Sequence, residues 1–250
     1  MSEPRLTAVG AGRRLWLAPE LGAWQGALEG ASFSASAGRG SLQRARLGSF
    51  DAIIRTYRHG GALRGLIPDL FLSARRALSE VKALSRLAPL GFAPRPLVLE
   101  CRGRLLLRLR IAVEEVPRSR NVLELARDQA ERLDTALGRS IGEAVRAMHD
   151  AGIAHADLNV GNILVVDGPS ANVRLIDFDG ATVGDSPVSP EERAREILRL
   201  ARSLEKWACT AATSAAVRAA FLRAALPLGQ RLSVFREACR RSAQLSRLPR

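Results

Sequence analysis

The chain has 250 residues and 47% of them are hydrophobic, a fraction typical of globular proteins and too high for a disordered one. The formal net charge is +13, which favours a polyanionic partner, but aromatic residues are only 4% and do not alternate with the charges, so base stacking on nucleic acid is not expected. No apolar run reaches the roughly 18 residues of a membrane span. Cys101, Cys209 and Cys239 lack zinc or disulfide spacing and indicate a reducing compartment.

Residues 1–35 show no clear pattern. Two strands are predicted over 42–47 and 52–57, after a glycine-rich turn. Backbone amides in such a turn and a fixed cation on the second strand would both attract phosphate. The candidate nucleotide-binding residues here are Gly38, Gly40, Ser41 and Arg55.

Apolar residues at helical spacing predict a helix over 73–87, with Glu80 at the edge of its buried face. A carboxylate at that place either extends to solvent or is held against an internal cation. Two strands are predicted over 96–100 and 104–111, and the irregular stretch 110–120 is interpreted as a hinge between two lobes.

Beyond residue 120 the pattern is mainly helical. An apolar stripe over 133–148 predicts a helix that stops before Gly152, which suits a residue just past a helix end. Ser189 and Pro190 have the form of a helix start and open a helix whose predicted buried face holds Ile197, Leu200, Ala201 and Leu204. Shorter helices are predicted near 213–226 and 230–243.

Between the two longest predicted helices lies a polar loop followed by two short apolar runs, 163–166 and 173–176, around a turn. If the runs pair as an antiparallel hairpin, Asn162 and Asp177 meet at its end, with Asp157 on the loop beside them. An amide oxygen and a carboxylate suit Mg²⁺, and a further Asp could accept a proton from an attacking hydroxyl. The loop residues of interest are His155, Asp157, Asn159 and Asn162.

The spacing His155-x-Asp157-x4-Asn162, followed after the hairpin by Asp177-Phe178-Asp179, resembles the catalytic loop and metal-binding triplet of the protein-kinase-like superfamily. The resemblance implies a catalytic set of Asp157 as base with Asn159 and His155, and Mg²⁺ ligands at Asn162 and Asp177. It implies a two-lobed α+β fold, with a small antiparallel-sheet lobe over 1–109, a helical lobe over 110–250, and ATP between them.

Within that superfamily the chain resembles the lipopolysaccharide kinases. Three passages carry this resemblance: 54–61 (IRTYRHGG), 149–159 (HDAGIAHADLN) and 199–206 (RLARSLEK). The resemblance implies ATP-dependent phosphorylation of a sugar hydroxyl of 3-deoxy-D-manno-octulosonic acid (Kdo) on Kdo-lipid A. It places the protein, as a peripheral protein, on the cytoplasmic face of the bacterial inner membrane. The positive charge favours an anionic membrane surface as a partner, and no obligate protein partner is inferred.

Two departures from the protein-kinase pattern matter. The strand position that holds lysine in protein kinases is taken by Arg55, for which Glu80 is the expected partner. Only a dozen residues separate Asp177 from Ser189, which argues against a docking segment for a protein substrate. Two alternatives remain open: a small-molecule kinase of the aminoglycoside or choline type, and a catalytically inactive kinase-like module that binds membrane.

Overall fold

In the computed structural model, residues 4–10, 12–22, 28, 34–35, 43–58, 69–128, 133–168, 172–207 and 213–231 are described. The chain divides into two compact units, one of residues 1–88 and 94–116 and one of residues 89–93 and 117–250. The division lies at Val116, whereas the sequence placed it between residues 109 and 110. The difference arises because a strand of the first unit continues through Glu114.

The first unit is built on an antiparallel sheet with strand order β1-β2-β6-β7-β5-β4-β3. Its strands are β1 (Thr7–Gly10), β2 (Arg13–Leu17), β3 (Ser34–Ala35), β4 (Gln43–Leu47), β5 (Phe50–Thr56), β6 (Pro96–Arg102) and β7 (Arg108–Glu114). The predicted strands near 42–47, 52–57, 96–100 and 104–111 correspond to β4–β7. The edge hairpin β1–β2 was not predicted, because its four-residue first strand is exposed throughout and carries no alternation of apolar and polar residues.

Helix α1 (Arg75–Leu87) packs on the sheet, most extensively on β6. Ala77, Val81 and Leu84 are almost fully buried, as their helical spacing predicted. Elsewhere in the unit Leu15, Ile54 and Leu97 belong to a second apolar cluster. This packing places Arg55 on β5 within hydrogen-bond distance of Glu80 on α1.

The second unit is mainly helical. Its helices are α2 (Val122–Asp128), α3 (Thr135–Asp150), α4 (Pro190–Lys206) and α5 (Ala215–Ala225). Its short strands are β8 (Ser119–Asn121), β9 (Ile153–Ala154), β10 (Ile163–Val166), β11 (Asn172–Leu175) and β12 (Thr182–Val183), which form one three-stranded and one two-stranded sheet. The helix predicted over 230–243 falls almost entirely outside the described residues.

The predicted ends of α3 and α4 are confirmed. Gly152 has φ +74°, and a Cβ there would lie 2.6 Å from the carbonyl oxygen of Ser186, so the turn after α3 requires glycine. The hydroxyl of Ser189 accepts a hydrogen bond from the Glu192 amide at 3.3 Å and caps α4, with Pro190 in the first turn. Among the described residues, no helix has the length and apolarity that crossing a membrane requires.

Candidate active site

The two apolar runs after the polar loop do form an antiparallel hairpin. Strands β10 and β11 pair with Ile163 opposite Leu175, and the Ile176 amide donates to the Asn162 carbonyl oxygen at 3.0 Å. Asn162 and Asp177 are therefore neighbours at the open end of the hairpin. This is the juxtaposition that the sequence predicted.

A network of hydrogen bonds organises the loop around Asp157. Asn162 Nδ2 donates to the Asp157 carbonyl oxygen at 2.9 Å. Asn159 Nδ2 donates to a carboxylate oxygen of Asp157 at 3.0 Å, and its own side-chain oxygen caps the turn by accepting from the Gly161 amide at 2.8 Å. Asn159 thus fixes the orientation of the Asp157 carboxylate, while Asn162 fixes the backbone that carries it.

His155 lies beneath this loop and is 1% exposed. Its Nδ1 accepts from the Asp157 amide at 3.1 Å, so its Nε2 must carry the proton that it donates to the Ile176 carbonyl oxygen, also at 3.1 Å. Burial lowers the pKa of this imidazole and keeps it neutral. His155 is therefore a structural link from the loop to the strand that leads to Asp177.

Asp177 follows that strand with φ +62°, in the left-handed region that a residue with a side chain rarely adopts. The next residue, Phe178, is fully buried, and its ring lies 4.8 Å from the His155 ring between centroids. The packing of Phe178 and the hydrogen bond to Ile176 hold the backbone on either side of Asp177. Such local strain persists where the surrounding structure enforces it, and it concentrates at functional sites.

The residues present fit a magnesium ion. Because Asn162 uses its nitrogen to bond Asp157, its side-chain oxygen is the atom left for a cation, and the hairpin pairing brings the backbone of Asp177, which follows Ile176, next to Asn162. Two protein oxygens are what Mg²⁺ commonly takes when nucleotide phosphates and water complete its shell. Among the described residues, no group of three or more His, Cys, Asp and Glu side chains is placed to hold a metal. A site whose ligands are one asparagine and one aspartate does not require such a group.

Helix α4 supports the catalytic loop through polar residues that the sequence did not single out. Arg199 donates to the His155 carbonyl oxygen at 3.1 Å, and the Ser203 hydroxyl accepts from the Val160 amide at 3.2 Å. The predicted buried stripe of α4 was wrong at Ala201, which is exposed, whereas Glu196 and Ser203 are buried. The stripe is rotated because the loop, a polar surface, packs against this helix.

Glu196 is the most unusual of these residues. It is 1% exposed, and its Oε2 lies 2.9 Å from Nε2 of His149, which is fully buried on α3. Burial raises the pKa of Glu196 to about 8, and the charge of the nearby Arg199 opposes the rise. Burial and the nearby Arg193 lower the pKa of His149 to about 3. Both shifts favour a pair in which neither residue is charged, with the proton on the carboxyl group.

In the first unit, Arg55 and Glu80 form the predicted ion pair. The Arg55 guanidinium contacts both carboxylate oxygens of Glu80, one of them at 2.5 Å. Glu80 is 2% exposed and also accepts from the Tyr57 hydroxyl at 2.5 Å. The guanidinium lies 4.9 Å from the Tyr57 ring centroid, so Tyr57 contacts both members of the pair. Gly38, Gly40 and Ser41 lie outside the described residues.

The chain is similar to known proteins in both sequence and fold. Residues 24–222 match the model of the lipopolysaccharide kinase (Kdo/WaaP) family. A 3-deoxy-D-manno-octulosonic acid kinase of Vibrio cholerae serotype O1 is 31% identical over 194 residues, which cover 74% of this chain and 78% of the relative. The corresponding kinase of Actinobacillus succinogenes is 32% identical over 206 residues, covering 77% of this chain and 81% of the relative.

A solved structure of WaaP in complex with acyl carrier protein matches the fold, with a TM-score of 0.57 and 20% sequence identity. The match covers 85% of this chain and 90% of that one. It confirms the protein-kinase-like α+β fold. On the family match and these relatives, the chain belongs to the lipopolysaccharide kinase (Kdo/WaaP) family and is a phosphotransferase that acts on an alcohol group.

Proposed function

We propose that the protein transfers the γ-phosphoryl group of ATP to a sugar hydroxyl of Kdo on Kdo-lipid A. The observation that carries the proposal is the meeting of Asp157, Asn162 and Asp177 around one hydrogen-bonded loop. The relatives that share the family are named for Kdo phosphorylation, which supports Kdo as the acceptor sugar.

In the proposed mechanism Asp157 accepts the proton of the acceptor hydroxyl as that oxygen attacks the γ-phosphorus. The bond from this phosphorus to the β,γ-bridging oxygen breaks, and ADP leaves with the electron pair. Asn159 holds the Asp157 carboxylate in the orientation needed for proton transfer. Asn162 and Asp177 would hold Mg²⁺, which neutralises charge on the phosphate oxygens.

We assign the phosphate-contacting cation of the first unit to Arg55, with Glu80 and Tyr57 as the residues that position it. The glycine-rich segment that contains Gly38, Gly40 and Ser41 is the proposed phosphate cradle. An arginine can bond a carboxylate and a phosphate with different edges of its guanidinium, so contact with Glu80 is compatible with a contact to the nucleotide.

We place the enzyme, as a peripheral protein, on the cytoplasmic face of the inner membrane, where a lipid-anchored sugar and cytoplasmic ATP are both within reach. The net charge of +13 supports binding to an anionic surface. The competing function is that of a kinase for small soluble acceptors.

The experiment is transfer of label from γ-³²P-ATP to purified Kdo-lipid A, compared with free Kdo, an aminoglycoside and choline at equal concentration. We expect label on Kdo-lipid A above every soluble acceptor. Preference for a soluble acceptor would place the enzyme with the small-molecule kinases. No transfer to any of these acceptors, with nucleotide still bound, would contradict the proposed acceptor.

A further inference from the structure

The turn between β6 and β7 exposes two consecutive leucines at the end of the first unit's sheet. Leu105 is 85% exposed and Leu106 is 48% exposed. A third leucine, Leu72, is 86% exposed and follows Phe71, which forms an antiparallel bridge with Leu107. Because antiparallel partners step in opposite directions along the chain, this bridge brings Leu72 next to Leu106. We call Leu72, Leu105 and Leu106 the apolar tip.

The apolar tip is fixed by its backbone. Phe71 and Leu107 exchange hydrogen bonds of 2.8 and 2.7 Å, and the Gly103 amide donates to the Gly12 carbonyl oxygen at 2.9 Å. Gly103 has φ +109°, and a Cβ there would lie 2.0 Å from the Leu106 carbonyl oxygen, so the turn can form only with glycine. The leucines are therefore presented to solvent by an ordered turn.

Exposed arginines lie within a few residues of the apolar tip along the chain. Residues 102–110 contain four arginines and no acidic residue. Arg104 and Arg108 are exposed on the same turn, and Arg75 and Arg76 are exposed at the start of α1, three and four residues after Leu72.

The acidic residues nearby offset little of this charge. Asp69 pairs with Arg108 at 3.0 Å. Glu100 is 1% exposed and is bonded by Arg13 at 2.6 Å, so it contributes no surface charge of its own. The surface around the leucines is therefore strongly positive.

We propose that the apolar tip is a membrane-docking element that inserts between the headgroups of an anionic bilayer. The leucines would enter the boundary between headgroups and acyl chains, and the arginines would bind lipid phosphates. An acidic protein is the weaker match, because three leucines on two adjacent segments offer far less than the roughly 1,200 Å² and the aromatic anchors of a specific protein interface. The inference rests on the proposed function only for its purpose, which is to bring the active site to a lipid-anchored sugar.

The test is flotation of the full chain with vesicles of phosphatidylcholine alone or with 30 mol% phosphatidylglycerol (roughly the charge of an anionic leaflet), without ATP or Kdo-lipid A. We expect the wild type to float with the anionic vesicles only. Leu105→Ser with Leu106→Ser should weaken binding roughly tenfold or more, and Arg104→Gln about fivefold. In Leu105→Trp, brominated lipids should quench the added fluorescence.

Matched controls are Leu90→Ser with Leu228→Ser, at leucines 55% and 80% exposed in the second unit, and Arg139→Gln on α3. These should bind as the wild type does. Wild-type binding by the Leu105/Leu106 double variant, no quenching, or no binding of the wild type to anionic vesicles would overturn the proposal. The Leu105/Leu106 double variant should still transfer phosphate to detergent-solubilised Kdo-lipid A, which separates membrane docking from catalysis. If the wild type binds anionic vesicles but transfers no phosphate, the proposed function is rejected and the docking proposal stands.

Discussion

Glu196 on α4 and His149 on α3 form a buried pair, with 2.9 Å between Oε2 and Nε2. Glu196 also lies on the face of α4 that carries Arg199 and Ser203, both of which bond the catalytic loop. The pair therefore joins the two longest helices of the second unit at the place where they support His155. Its protonation state connects the stability of this unit with pH.

The buried pair predicts a loss of stability between about pH 6.5 and 8. The pKa of Glu196 is about 8 in the folded chain and about 4.5 in the unfolded chain, so across this window the folded state retains a proton that the unfolded state has lost. Unfolding then becomes easier as pH rises, by about 1 kcal/mol per pH unit. The pKa values of His149 and His155 are lowered in the folded chain. Below about pH 6.5 these histidines therefore bind protons in the unfolded state but not in the folded state, and their contribution to stability increases as pH rises.

Urea unfolding at several pH values measures this slope. Glu196→Gln, which resembles the protonated acid in shape and cannot ionise, should lack the slope between pH 6.5 and 8. Glu143→Gln, at an exposed position of α3, is the control and should retain it. An unchanged slope in Glu196→Gln would mean that another group titrates in this window.

A double-mutant cycle tests the coupling of Arg55 and Glu80. Removing either partner alone leaves a largely buried charge without its counterion, so each single substitution should cost several kcal/mol, about 3 or more, and the pair less than the sum. Arg55→Lys should retain part of the transfer activity, because lysine can still act as a point charge. Independent, additive effects of Arg55→Met and Glu80→Gln on stability would contradict the coupling.

Tyr57→Phe tests whether the Tyr57 hydroxyl stabilises the ion pair of Arg55 and Glu80. It removes the hydroxyl that donates to Glu80 while keeping the ring beside Arg55. We expect a stability loss of about 1.5–3 kcal/mol, the usual value for a hydrogen bond to a charged group, and a raised KM for ATP as Arg55 loses its fixed position. Tyr57→Phe with wild-type stability would mean that Arg55 alone satisfies Glu80.

Asn159→Ala should lower kcat while leaving ATP affinity near that of the wild type. The substitution removes the hydrogen bond that orients the Asp157 carboxylate and the cap of the following turn. We expect a fall in kcat of about tenfold to a hundredfold, within the range that general-base catalysis contributes. Asn159→Asp retains an oxygen for the Gly161 amide but not the donor to Asp157, so it should show the same kinetic loss with less loss of stability.

The sequence predicted those parts of the fold and site that short, local patterns determine. The hairpin register follows from two apolar runs around a turn, and it alone brings Asn162 to Asp177. The sequence placed Glu80 at the edge of an apolar stripe and paired it with Arg55. In the structure this carboxylate is buried, and the charge of Arg55 neutralises it. In both cases the partners belong to adjacent or strongly patterned elements.

The supports from α4 could not be predicted in this way. Glu196 is 47 residues from His149, and Ser203 is 43 residues from Val160, so only the tertiary fold brings them together. A buried glutamate on an amphipathic helix has the same local pattern as an exposed one. The passage 199–206 contributed to the family resemblance, but its sequence alone did not predict that Arg199 and Ser203 form hydrogen bonds with the catalytic loop.

Asp177→Asn tests the metal assignment. Asparagine tolerates the left-handed backbone at this position, so the variant should fold with nearly wild-type stability. It lacks the carboxylate charge, and we expect Mg²⁺-dependent nucleotide binding to weaken at least tenfold. Titration of a fluorescent ATP analogue with and without Mg²⁺ measures this, and equal Mg²⁺ dependence in variant and wild type would remove Asp177 from the metal site.

The most direct measurement of the central claim compares nucleotide binding and phosphoryl transfer in Asp157→Ala. If Asp157 is the base, the variant should bind MgATP within a few-fold of the wild type while transfer of ³²P to Kdo-lipid A falls by about a hundredfold or more. Transfer at the wild-type rate would contradict the account, because the loop that His155, Asn159 and Asn162 organise would then orient a residue that takes no part in the chemistry.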